Sequence, residues 1–173
     1  MARRGTKKLK ILFLDIDGPM IPGRAYDMPG QTRPLVQNFD PCAVGLLNTF
    51  CAKRGWRIVL HTSWLRVFGE KEAYDHCIKQ GLDAQYFAKD AWCSGEINWR
   101  YSRVAKYLAE HPEIDSYLIL DDEPYQIDFR EGIEHPNDMA DHLILADFED
   151  GITVDIMNQL GGRDARTKPL IFH

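Results

Sequence analysis

The sequence predicts an α/β protein, a three-layer α/β/α, Rossmann-like arrangement on a parallel central sheet, and three observations predict it. Leu9 to Gly18 (LKILFLDIDG) is apolar from Ile11 to Ile16 except for Asp15, the pattern of a strand buried on both faces. Val44, Leu46, Leu47, Phe50 and Cys51 recur at helical spacing and are followed by the apolar run Trp56–Leu60, so strand, helix and strand alternate as in a βαβ unit. Tyr117–Leu120 is a further apolar strand which, like the first, empties directly into paired acids, Asp121 and Asp122.

The first strand ends at Gly18-Pro19. The stretch from Pro19 to Pro41 contains Pro22, Gly23, Pro29, Gly30 and Pro34, too broken for a helix and too long for a turn. We expect a flap or minimal cap over 19–41 that returns beside Asp15, with Arg24, Tyr26 and Arg33 as substrate contacts. Pro41 opens a helix that closes at Lys53-Arg54-Gly55. Trp56–Leu60 is the second strand, with His61-Thr62-Ser63-Trp64 as its polar exit. Phe68–Ile78 reads as an outer helix closed by Gly81, Leu82–Phe87 as a short strand, and Ala91–Gly95 as a loop. Asn98 is placed to cap a helix from Trp99 to Glu110, ended by His111-Pro112. His142–Leu145 is a last strand, and Ile152, Ile156 and Leu160 mark a terminal helix before Gly161-Gly162. The expectation is a single domain over 1–173.

The composition is that of an ordinary globule, 45% apolar and 27% charged with a net charge of −5. No apolar run is long enough to cross a bilayer and the basic start meets Asp15 and Asp17 too soon for a signal peptide, so a cytoplasmic location is expected and no membrane partner. Arg3, Arg4, Lys7, Lys8 and Lys10 make the amino terminus basic, whereas residues 110–150 carry fourteen acids against the single Arg130. That acidic half argues against a broad nucleic-acid face. Cys42, Cys51, Cys77 and Cys93 lack zinc-site spacing and read as core or semi-buried thiols; His61 reads as a structural histidine, and Trp99, Tyr101 and Tyr107 as core.

In a parallel sheet Asp15, Asp17, Thr62, Ser63, Asp121 and Asp122 all leave from the carboxyl edge, where α/β proteins bind ligands. Four carboxylates there repel one another unless a divalent cation sits among them, and oxygen ligands suit Mg²⁺ with a substrate phosphate. Asp15 is placed as a nucleophile able to form an aspartyl phosphate, and Asp17 as the acid and base beside it. Hydroxyls at Thr62 and Ser63 can donate to a phosphoryl oxygen.

These three strand-end motifs, Asp15-Ile16-Asp17-Gly18, Thr62-Ser63 and Asp121-Asp122, resemble the first, second and fourth motifs of the haloacid dehalogenase (HAD) superfamily of phosphotransferases over nearly the whole chain. Trp64 after Thr62-Ser63, Glu110-His111-Pro112-Glu113, and Ile119 to Glu123 are most similar to small HAD domains of bacterial and phage RNA-repair contexts. The resemblance implies Asp15 as nucleophile and metal ligand, Asp17 as acid/base that also offers its backbone carbonyl to the metal, and Asp121 as a direct ligand with Asp122 beside it. It implies Thr62 as the phosphate-binding hydroxyl, with Ser63 one residue away, and an aspartic acid at position 17 favours a phosphatase over a dehalogenase. It requires a base near the start of the helix before the fourth motif, where Arg100 leads, Arg103 follows and Lys106 lies too far along.

The expected function is a Mg²⁺-dependent phosphomonoesterase acting on a phosphorylated substrate, with a nucleic-acid 3′-phosphatase as the leading form. A nucleotide or small-metabolite phosphatase and a non-catalytic HAD-like binding module are the alternatives.

Overall fold

A computed structural model describes residues 9–27, 38–97, 99–124 and 136–163. Five strands, β1 (Leu9–Leu14), β2 (Arg57–Leu60), β3 (Phe87–Trp92), β4 (Ile114–Asp121) and β5 (Leu143–Leu145), form one sheet in the order β3-β2-β1-β4-β5. Every pairing is parallel. Helices α1 (Pro41–Arg54), α2 (Trp64–Val67), α3 (Glu70–Lys79), α4 (Arg100–Glu110) and α5 (Val154–Arg163) flank it. This is the Rossmann-like core expected from the alternation of strands and helices.

β1 is central because it is the most apolar strand. Ile11, Leu12, Phe13 and Leu14 are fully buried, and only a strand covered on both faces and paired on both edges can bury such a run. Its register levels the strand ends. Leu14 lies opposite Leu60 on one side and Leu120 on the other, so Asp15, His61 and Asp121 emerge as one row. The amides of Asp15 and His61 continue the ladder, donating to the carbonyls of Leu120 and Leu14 at 3.0 and 3.1 Å. The chain progresses outward from β1 in both directions, first through β2 and β3, then through β4 and β5, so the β1/β4 boundary is the point where the strand order reverses and a ligand crevice opens.

α1 starts where Pro41 predicts it. Asp40 caps it, its side chain accepting from the Cys42 amide at 2.8 Å, and Pro41 needs no donor at the first helical position. On α4, Tyr107 turns its ring edge-on to Phe13 at 5.5 Å, which joins the helix to the central strand.

The expected boundaries move in four places. The strand placed at 82–87 forms over Phe87–Trp92, because the Asp83 carboxylate accepts from the Gln85 amide at 3.0 Å and fixes a tight turn over Ala84–Tyr86. This is an edge strand with Lys89 and Asp90 exposed in its middle, so its apolar pattern is weak. The helix expected over 68–78 forms as α3 from Glu70, and a short helix the sequence reading did not assign, α2, precedes it over Trp64–Val67; Gly69 separates the two with a φ of 104° that no side-chain-bearing residue adopts readily. β4 begins at Ile114 rather than Tyr117, and α5 runs through Gly161-Gly162 to Arg163. The expected cap at Asn98, the contact at Arg33 and residues 28–37 of the flap lie outside the described residues.

Leu12 has no exposed surface, and Leu12→Ala should lower the free energy of unfolding by about 2–5 kcal/mol in a urea titration. Val67 is 59% exposed, and Val67→Ala should stay within about 0.5 kcal/mol of the parent chain.

Candidate active site

Three strand exits and one helix start meet at the carboxyl edge. Asp15 follows β1 and is 1% exposed; Asp121 ends β4 with no exposure. Asp122 comes next and passes directly over Gly18. A Cβ added at Gly18 would lie 2.5 Å from the Asp122 Cβ, and the backbone there has φ of 75°, so both space and conformation require glycine after Asp17. The amides of Met20 and Ile21 donate to the Ile16 carbonyl at 2.9 and 3.1 Å, folding the chain into a tight turn that holds Asp17 beside Asp15.

The carboxylate oxygens of Asp15, Asp121 and Asp122 lie within 4.8 Å of one another. Arg100, the first residue of α4, answers them. Its Nη1 donates to Asp15 Oδ2 at 2.7 Å and to Asp121 Oδ1 at 3.0 Å, while Nη2 pairs with Glu123 Oε2 at 2.9 Å. Asp121 Oδ1 also accepts the Glu123 amide at 3.0 Å. Asp15 Oδ1 and Asp121 Oδ2 are buried without a hydrogen bond.

One guanidinium does not neutralise this cluster. Burial, then the charge of Asp121, holds the Asp15 carboxyl well above its ordinary range against the pull of Arg100. Burial pushes Asp121 up to about 7, again opposed by Arg100, and burial raises Asp122 and Asp17 as well. His61 Nε2 lies 3.8 Å from Asp121 Oδ2, but burial and then Arg100 push this imidazole down to about 3, so it brings no charge. Two buried, unbonded carboxylate oxygens in an acidic cluster fit a divalent cation, and Asp15, Asp121 and Asp122 would hold it.

Asp17 stands apart from that cluster. Its Oδ2 accepts the indole Nε1–H of Trp64 at 3.0 Å. On the β2 exit Thr62 is buried, its Oγ1 accepting the Trp64 amide at 3.3 Å. Ser63 sits at the start of α2 without capping it through its side chain.

The other expected contacts go elsewhere. Arg103, one helical turn beyond Arg100, is 1% exposed. Its guanidinium donates to the carbonyls of Thr62 at 2.7 Å, His61 at 3.2 Å and Ile97; it braces the β2 exit from below instead of facing the crevice. Lys106 pairs with Glu110 at 3.7 Å. Arg24 is exposed and held by Asp40 at 2.6 Å and Asp150 at 3.5 Å, and Tyr26 stacks on Phe148 with ring centroids 6.4 Å apart. Sequence reasoning missed two partners, Glu123 on Arg100 and Trp64 on Asp17. Their only signal was adjacency, since each lies two residues beyond a motif residue on the same edge.

Fold and site together define a metal-dependent phosphatase of the HAD type. The chain belongs to the family described as the HAD domain in Swiss Army Knife RNA repair proteins, whose model matches residues 11–156. No curated protein and no solved structure matches it.

A carboxylate whose proton affinity is raised by folding contributes stability at low pH that disappears as pH rises through its folded value. Asp121 moves from 3.8 to about 7 and Asp15 moves the same way. In EDTA, the urea midpoint should therefore be higher at about pH 5 than at about pH 8. Mg²⁺ should narrow that gap by favouring the ionised cluster, and Asp121→Asn should narrow it without metal.

Proposed function

We propose that the chain is a Mg²⁺-dependent phosphomonoesterase that works through an aspartyl phosphate on Asp15, with a nucleic-acid 3′-phosphate as substrate. The observation that carries this reading is the bridge from Arg100 Nη1 to Asp15 and Asp121 beside two unbonded carboxylate oxygens. A fixed positive charge and a carboxylate cluster suited to a cation both meeting at Asp15 support this reading.

Asp15 attacks phosphorus and the ester P–O bond breaks, with the proton of Asp17 passing to the leaving oxygen. Water then attacks the acyl phosphate, Asp17 takes its proton, and inorganic phosphate leaves Asp15 as a carboxylate. Asp15, Asp121, Asp122 and the Asp17 carbonyl would hold a divalent cation, which would supply charge neutralisation between phosphate and nucleophile when bound. Arg100 offsets the remaining charge, and Thr62 or Ser63 offers a hydroxyl to a phosphoryl oxygen. The nucleic-acid assignment draws support from the RNA-repair proteins that give the family its description. The acids Asp40 and Asp150 that hold Arg24 confine any favourable contact with a polyanion to other parts of the surface.

Phosphate release should be assayed on 3′- and 5′-phosphorylated oligonucleotides, mononucleotides, a phosphopeptide and sugar phosphates, with Mg²⁺ or EDTA. The expected outcome is metal-dependent release from oligonucleotide 3′ ends that Asp15→Asn abolishes. Release from small substrates alone would reject the nucleic-acid assignment and leave the chemistry standing; release from none would reject both. Arg100→Ala should lower kcat about 10²–10³-fold, and Arg100→Lys should recover part of the loss because it keeps the charge but not the two-carboxylate bridge.

A further inference from the structure

Asp17 must present one carboxylate oxygen to the leaving group, yet it sits just past the strand, half-buried, where neither a sheet ladder nor an ion pair among the described residues fixes its side chain. The Trp64 indole fixes it. Nε1–H donates to Oδ2 at 3.0 Å, which leaves Oδ1 as the oxygen to carry and deliver the proton. The indole is itself held firmly. Trp64 is 8% exposed, and its ring meets Phe68 edge-on at 5.1 Å and the His76 ring at 5.2 Å. His76 is met in turn by Phe39 at 5.5 Å. The backbone amide of Trp64 donates to the Thr62 hydroxyl, so one residue ties the β2 exit to the carboxylate of Asp17 on the β1 exit.

We propose that Trp64 is a positioning residue for Asp17, its indole N–H selecting the carboxylate oxygen that exchanges the proton with the leaving group. This rests on the phosphatase reading of the site. A carboxylic acid transfers its proton along the direction of one oxygen, and rotation about its last bond aims that oxygen elsewhere. Loss of the indole donor therefore costs most where the leaving oxygen most needs a proton. p-Nitrophenolate departs readily as an anion, whereas phenolate, which is more basic, departs better as phenol.

The test compares Trp64→Phe with the parent chain on phenyl phosphate and p-nitrophenyl phosphate in Mg²⁺. The expected result is about a tenfold loss of kcat/KM on phenyl phosphate and at most about a twofold loss on p-nitrophenyl phosphate. In an Asp17→Asn background Trp64→Phe should add no further loss on either ester. Equal loss on both esters, or full additivity with Asp17→Asn, would reduce Trp64 to a packing residue and overturn the proposal. If Trp64→Phe does not fold, benzothienylalanine at position 64 keeps the ring shape and removes only the N–H, and the same outcomes decide. A second readout needs neither metal nor turnover. Of the four tryptophans, the indole resonance that Trp64→Phe removes should shift and exchange faster with water in Asp17→Ala; an unmoved resonance overturns the hydrogen bond. No release by the parent chain from these esters or from any phosphorylated oligonucleotide or small substrate would overturn the phosphatase reading and this one with it, whereas failure of Trp64→Phe to discriminate the esters, or an unmoved indole resonance, would overturn this one alone.

Discussion

Mutual repulsion among carboxylates at the β1/β4 boundary is the constraint to which the rest of the edge responds. Asp15 and Asp121 are both buried, and the sheet register gives them no freedom to separate. Taking such charges out of water costs several kcal/mol per ion unless something compensates. Arg100 supplies one positive charge and reaches both acids, while Glu123 turns back toward the same guanidinium and shares it. The balance stays negative: burial first raises the proton affinities of Asp15, Asp17, Asp121 and Asp122, and the neighbouring acids add to it at Asp15, Asp121 and Asp122. Such a cluster relaxes either by taking up protons or by taking up a divalent cation.

α4 answers the same constraint with two arginines three residues apart. Arg100 at the first turn reaches the acids, whereas Arg103 is carried one turn deeper and grips the carbonyls of His61, Thr62 and Ile97. A guanidinium presents a rigid fork of donors, which suits it to several carbonyls at once. One helix thus sets both the charge around Asp15 and the path of the chain that carries the Thr62 hydroxyl.

Loop geometry is fixed by close backbone approach more than by regular structure. A Cβ at Gly151 would lie 2.9 Å from the carbonyl oxygens of both Gly18 and Pro19, and the Ile152 amide donates to the Pro19 carbonyl at 3.1 Å. The segment after β5 therefore buttresses the turn that bears Asp17. The Gly23 amide donates to the Phe148 carbonyl at 2.7 Å, which extends the same support to Gly23. With the Trp64 indole also bonded to its carboxylate, Asp17 is supported by two segments far apart in the chain.

The amino-acid sequence by itself determined the fold class, the pairing of an apolar strand with terminal acids at Asp15 and Asp121, and the approximate places of α1, α3, α4 and α5, though not of the short α2. Burial of an apolar run and the helical period are local properties, so they are legible without coordinates. The edge strand at Phe87–Trp92 was not, because half of it faces water and its pattern follows from what it pairs with. Tertiary structure alone decided how Arg100 and Arg103 divide their work: both are arginines near one helix start, and only the depth of each turn beneath the sheet edge separates a partner for carboxylates from a brace for carbonyls. It also decided that Trp64 serves Asp17, since a hydrogen bond between residues 47 positions apart depends on strand register and helix packing that no local pattern encodes.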